Sequence, residues 1–173
     1  DLEGYLFPDT YRIYSKTGQE AIIAKMLDNF DKKLTQQMRD DIKKSHKNIH
    51  EVLTLASIIE KEVSSDTDRR KVADIFYKRL DKGIALQADS TINYATGKSA
   101  TRSASADLNF NSPYNTYKYR GLPPGPICNP GLSAIDAAIY PEPNLYYYFL
   151  TGSDGTVYYA KTFEEHIKNR VHL

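Results

Sequence analysis

Leu53-Thr-Leu-Ala-Ser-Ile-Ile-Glu60-Lys61-Glu62-Val63 is the stretch on which the reading of this chain turns. Val52, Leu53, Leu55, Ala56, Ile58, Ile59 and Val63 recur at helical spacing. The pattern predicts an amphipathic helix from about Ile49 to Val63, with Asn48 as its N-cap. At roughly 100° per residue, Lys61 falls in the middle of the wet side. Glu60 falls inside the apolar arc, between Ala56 and Leu53. Glu62 lies near the other edge of that arc, between Ile58 and Leu55. A carboxylate against apolar surface is costly when charged, so its pKa rises. A general acid working near neutral pH needs that shift. The competing reading sets both glutamates at the helix rim, in water, where most carboxylates lie. The helical wheel does not choose between Glu60 and Glu62.

The rest of the N-terminal half is also helical in pattern. Leu2 to Tyr11 is a turn-rich opening punctuated by Gly4 and Pro8. A helix starts near Thr17-Gly-Gln-Glu and carries Ala21, Ile22, Ile23, Met26, Leu27 and Phe30 as its stripe. A more polar helix is predicted over Thr35–Lys47. After the central stretch, Ser64–Asp68 offers several N-caps. The next helix carries Val72, Ala73, Phe76 and Leu80 and stops at Gly83. Ala85–Ser90 is expected as a short strand leading into a helical turn at Thr91–Ala95.

The C-terminal half is less regular. Gly97–Asn111 reads as a loop with a helical turn near Ala104–Leu108. Gly121-Leu-Pro-Pro-Gly-Pro-Ile-Cys-Asn-Pro-Gly131 can be neither helix nor central strand, because proline lacks the donor that both need. Leu132–Tyr140 reads as a short helix. Leu145–Leu150 and Thr156–Ala160 are β-prone runs joined by the turn signal Ser153-Asp154-Gly155. Thr162 and Glu165 form a capping box for a last helix to about Arg170. The fold class is therefore α+β: a helical N-terminal half packed on a mostly antiparallel sheet with a C-terminal hairpin, and a cleft beside the central helix.

Composition narrows the function classes. The 173 residues hold 23 Lys+Arg against 22 Asp+Glu, a net charge of +1, which gives no nucleic-acid footprint. No apolar run approaches the roughly 20 residues that span a bilayer. The chain opens on Asp1, inside what reads as structured sequence, so a fragment of a longer protein is expected. The single Cys128 excludes an internal disulfide and a cysteine-rich zinc site. The four histidines, His46, His50, His166 and His172, sit in polar stretches without a Gly-x-Ser-x-Gly elbow, which speaks against a serine hydrolase. Lys61 on the wet face, with no glycine-rich phosphate loop, makes a poor pyridoxal-phosphate site. Fourteen Tyr and no Trp leave flat, polar-tipped rings suited to stacking on sugars or to rim packing.

Several segments occur together in order: Leu2–Tyr11, Leu53–Glu62, Leu86-Gln-Ala-Asp-Ser-Thr91, Tyr114-Asn-Thr-Tyr117, Gly121–Ile127 and Asn129-Pro-Gly131. Each is weak alone. Together they resemble the catalytic domain of the endolytic murein transglycosylases, the YceG-like family, over essentially all of residues 1–173. The resemblance implies a bacterial enzyme that cuts peptidoglycan glycan strands internally, outside the cytoplasmic membrane. It implies one N-terminal membrane helix and a LysM-like part preceding the catalytic part, with residues 1–47 a helical subdomain or the junction to it. It points to Glu60 as the catalytic residue, acting first as acid and then as base to leave a 1,6-anhydro-N-acetylmuramic acid end. Gln87, Asp89, Tyr114, Asn115 and Tyr117 would frame the substrate. No metal or other cofactor is implied. Peptidoglycan synthases of the elongation machinery are the implied protein partners. Structural roles stand against several of these: a loop-tying amide for Gln87 and Asn115, a helix N-cap for Asp89, and loop packing for Tyr114 and Tyr117. The competing functions are a non-catalytic peptidoglycan-binding module and a water-using muramidase.

Overall fold

The computed structural model describes residues 1–98 and 107–173. The helices α1 (Gln19–Lys33), α2 (Gln36–Lys44), α3 (Ile49–Glu62) and α4 (Asp66–Asp81) fill the first half. They are followed by α5 (Asp89–Thr96) and α6 (Leu132–Ile139). The strands β1 (Tyr148–Thr151) and β2 (Val157–Ala160) then lead to α7 (Phe163–Asn169). The α+β expectation holds, with the C-terminal hairpin in place. Among the described residues the sheet consists of that antiparallel pair alone, in the register Tyr148↔Ala160 to Thr151↔Val157. Gly155 takes the turn at φ 82°, a conformation that glycine adopts without steric cost.

The central helix begins where its capping signal predicts. The Asn48 side chain accepts from the Glu51 amide, and the Glu51 carboxylate accepts from the Asn48 amide. Its surroundings differ from a simple amphipathic helix: every residue from Val52 to Ile59 is buried. The helix packs against α6, α4, α5 and α2, so it has no wet side between Val52 and Ile59. Its two polar interior residues are satisfied locally. Thr54 Oγ1 donates to the His50 carbonyl (2.7 Å), and Ser57 Oγ donates to the Thr54 carbonyl (2.7 Å) while accepting from the Ile127 amide (2.9 Å). That last bond lays the Pro/Gly segment 121–131 along α3. The opening segment lies on the same wall. Asn129 Oδ1 accepts from the Gly4 and Leu6 amides, and a Cβ at Gly4 would stand 2.4 Å from the Pro126 side chain.

One expectation needs correction, and another falls largely outside the described residues. Residues 85–88 do not form a strand. Gln87 adopts φ +55°, which breaks an extended run, and the segment is pinned instead to Thr116 through the Gln87 amide (3.2 Å) and the Ala88 amide (3.1 Å). The helical turn near Ala104–Leu108 lies mostly outside the described residues; Asp107–Asn109 forms one 3₁₀ turn.

Candidate active site

A cleft of about 1470 Å³ opens beside the C-terminal end of α3. The ends of α3 and α5 form one part of its wall, and β1 and α7 form another. Glu62 lines it and Glu60 does not. The two carboxylates, two residues apart, have opposite surroundings.

Glu60 is held by two contacts. Its Oε1 pairs with Arg69 Nη2 at 3.1 Å, and its Oε2 accepts from the Gly131 amide at 3.2 Å. Gly131 is the N-cap of α6 and has no side chain to cap that helix. A carboxylate therefore sits where the amide dipoles of α6 favour negative charge. The contacts tie α3, α4 and α6 together. Both Glu60 oxygens thus have protein partners, and the residue lies outside the lining of the large cleft.

Glu62 is the carboxyl in the cleft wall. Burial pushes its pKa up from the ordinary carboxylate range, and the neighbouring Asp89 charge adds to the rise. Ser90 acts the other way, donating its hydroxyl (2.6 Å) and its amide (3.3 Å) to Oε1. The result is a partly buried acid held in one orientation.

The other predicted residues divide. Gln87, Asp89 and Tyr117 line the same cleft as Glu62. Asp89 is not a side-chain cap of α5; it is the first helical residue, after Ala88. Tyr117 donates its hydroxyl to Asp89 Oδ1 at 2.8 Å, and burial followed by that carboxylate pushes the phenol pKa up. Asn115 does not line this cleft. It is fully buried, with its amide nitrogen donating to the Leu108 and Phe110 carbonyls and its oxygen accepting from the Tyr117 and Lys118 amides. Its capacity is used in holding the loop that carries Tyr117. Tyr114 lies outside this cleft, in a smaller depression near His50 and Pro124, with its ring 4.7 Å from that of Tyr94.

Arg79 was not anticipated. It is 5% exposed, and its guanidinium donates to the Ala85 carbonyl, the Tyr147 carbonyl (3.0 Å) and Gln87 Oε1 (2.7 Å). Burial lowers its pKa from the usual arginine value. The sequence held a signal for it. Arg79 falls three residues after Phe76, on the apolar stripe of α4, and a charge on a buried stripe is unusual. Ser90 lay within the Leu86–Thr91 motif without a role assigned to it. Cys128 is inert packing: burial pushes its thiol up to about 11, and its Sγ lies 3.4 Å from the Ser57 carbonyl.

Comparison with known proteins agrees with this architecture. The YceG-like family model matches residues 1–172. The chain is 45% identical over 168 residues to an endolytic murein transglycosylase of Bacillus subtilis (strain 168), covering 96% of this chain and 46% of the relative. It is 41% identical over 174 residues to an endolytic murein transglycosylase of Streptococcus pneumoniae serotype 2, covering 97% and 31% respectively. A crystal structure of a yceG-like protein from Listeria monocytogenes superposes with a TM-score of 0.91 at 45% identity, over 97% of this chain and 55% of that one. The chain thus spans less than half the length of these two curated relatives. A matching family model over nearly every residue and a matching fold at this identity together place the chain in the YceG-like family.

Proposed function

We propose that the chain is the catalytic part of an endolytic peptidoglycan lytic transglycosylase, and that Glu62 rather than Glu60 is its acid and base. The observation that carries the assignment is the Glu62 carboxyl in the wall of the large cleft, its pKa raised by burial and its orientation fixed by Ser90. Two relatives carrying the name endolytic murein transglycosylase support the reaction class.

Protonated Glu62 donates to the glycosidic oxygen between N-acetylmuramic acid and N-acetylglucosamine, and the C1–O bond breaks. The ionised carboxylate then takes the proton of the muramoyl C6 hydroxyl as that oxygen closes onto C1. Proton and carboxylate return to their starting state, the product is a 1,6-anhydro end, and no water enters. The Asp89 carboxylate, oriented by Tyr117, stands beside Glu62 where positive charge develops on the sugar. Glu60 keeps the end of α3 in place through Arg69 and the start of α6. In the longer relatives an N-terminal membrane helix and a LysM-like part would occupy sequence outside this chain. They would hold the site outside the cytoplasmic membrane, beside the synthases whose strands it cuts.

A water-using muramidase is the second reading. The observation that favours it is a second carboxylate, Asp89, in the same cleft, since hydrolytic glycosidases work with two. One digest separates the readings. Glycan strands treated with the parent are expected to yield ends lighter by one water than a hydrolase gives, and Glu62→Gln is expected to yield none. Hydrated ends alone would select the muramidase. Parent-level release by Glu62→Gln would remove the assignment.

A further inference from the structure

The cleft is larger than the bond-breaking chemistry requires. Its volume of about 1470 Å³ exceeds the roughly 300–1,000 Å³ typical of a site for one small ligand. Glu62 and Ser90 mark one region of it, and a chain of contacts leads away. Asp89, beside Glu62, bonds Tyr117. The charges of both Glu62 and Arg79 reach Tyr117, and Arg79 bonds Gln87. The Arg79 guanidinium then lies 5.4 Å from the centre of the Tyr148 ring. The strand β1 spans the same stretch of wall. Thr151 Oγ1 lies 3.4 Å from the Glu62 carbonyl. Tyr148 is three residues away along the strand, about 10 Å at strand rise.

Three rings gather there. Tyr148 lies 5.9 Å from Phe163 and 5.5 Å from His166, and all three line the cleft. Burial lowers the His166 pKa, favouring the neutral ring. Phe163 remains 55% exposed. The base of this platform is rigid, because Arg79 beneath Tyr148 is fixed by two backbone carbonyls and an amide oxygen. A pyranose has an apolar C–H face and a polar hydroxyl rim. Preorganised aromatic rings flanked by hydrogen-bonding groups match both. A protein partner fits less well. Of the other exposed apolar residues near the C-terminus, Leu173 lines the cleft, whereas Ile167 and Val171 do not and so form no continuous apolar face with it.

Building on the reading that this cleft takes a glycan strand, we propose that Tyr148, Phe163 and His166 form a distal saccharide subsite. A sugar ring of the strand stacks there, away from the bond being broken. The subsite favours long strands over short ones.

The test uses the full chain, glycan strands stripped of stem peptides, and a disaccharide cut from them. In the Glu62→Gln background, Phe163→Ala is expected to weaken binding of long strands about tenfold, the loss of one aromatic contact with its buried area. Disaccharide binding should stay unchanged, and Phe163→Tyr should retain strand affinity. In the Glu62 parent, Phe163→Ala should lower kcat/KM on strands by the same factor. Equal loss on both lengths, or no loss on either, overturns the subsite. Should Glu62→Gln prove as active as the parent, the acid assignment falls, while the strand-binding comparison still reads the subsite. Failure of every variant and of the parent to bind strands removes both.

Discussion

Glu60 and Glu62 lie two residues apart on one helix and are made into different chemical objects. The clamp around Glu60 supplies a guanidinium and a helix-start amide, so this side chain joins three helices. The wall around Glu62 supplies burial, one serine and a neighbouring carboxylate, so this one is pushed toward holding a proton. The same helix therefore separates the group that carries structure from the group proposed to carry chemistry.

The largest test of this contrast is Glu62→Gln. It is expected to reduce release of anhydro-muropeptides at least 100-fold, the scale of a lost general acid, as read by mass spectrometry of strand digests. The same variant should not be less stable than the parent. A carboxyl whose folded pKa is raised adds stability below its unfolded pKa and loses it as the pH rises through the folded value. Glutamine removes that loss, so the Tm advantage of Glu62→Gln should grow as pH rises above the ordinary carboxylate range. A Tm deficit that widens with pH would contradict the burial argument.

Glu60→Gln should show the reverse pattern. Activity is expected to stay within a few-fold of the parent, because no cleft group is touched. Stability should fall by about 1–2 kcal/mol, the scale of a charged hydrogen bond in a partly exposed pair, measured by urea denaturation. Activity loss as deep as that of Glu62→Gln would collapse the distinction between the two carboxylates.

The finest test shifts the Glu62 proton without removing it. Ser90 hydrogen bonds lower its pKa and the Asp89 charge raises it. The activity limb that depends on protonated Glu62 falls with rising pH. Ser90→Ala should therefore move that limb to higher pH, and Asp89→Asn should move it to lower pH. Shifts in the same direction for both variants would mean that the limb reports another group.

Much of the fold was legible because its signals are local. Asn48 with Glu51 capped α3, Ser65 capped α4, Gly83 ended the α4 region in the left-handed conformation, and Ser153-Asp154-Gly155 turned the hairpin. Thr162 capped α7 as expected, although Glu165 reaches the Lys161 amide rather than that of Thr162. Less was legible where a partner comes from afar. The Gln87 conformation follows from Thr116 and Arg79, and an alternating stretch that looked like a strand became an irregular segment. Asn115 matched a motif, yet its four backbone bonds make it a brace for the loop.

By itself the sequence determined that an amphipathic helix ends in two acidic residues, and that a stiff proline-rich segment and a hairpin follow. Helical period, caps and turn residues act within a few positions of one another. Only the tertiary structure decided which acid faces the cleft. Arg69 lies nine positions from Glu60, Gly131 seventy-one from it, and Ser90 twenty-eight from Glu62. The protonation of a carboxyl is set by the groups within a few ångströms of it, and folding alone brings those groups there.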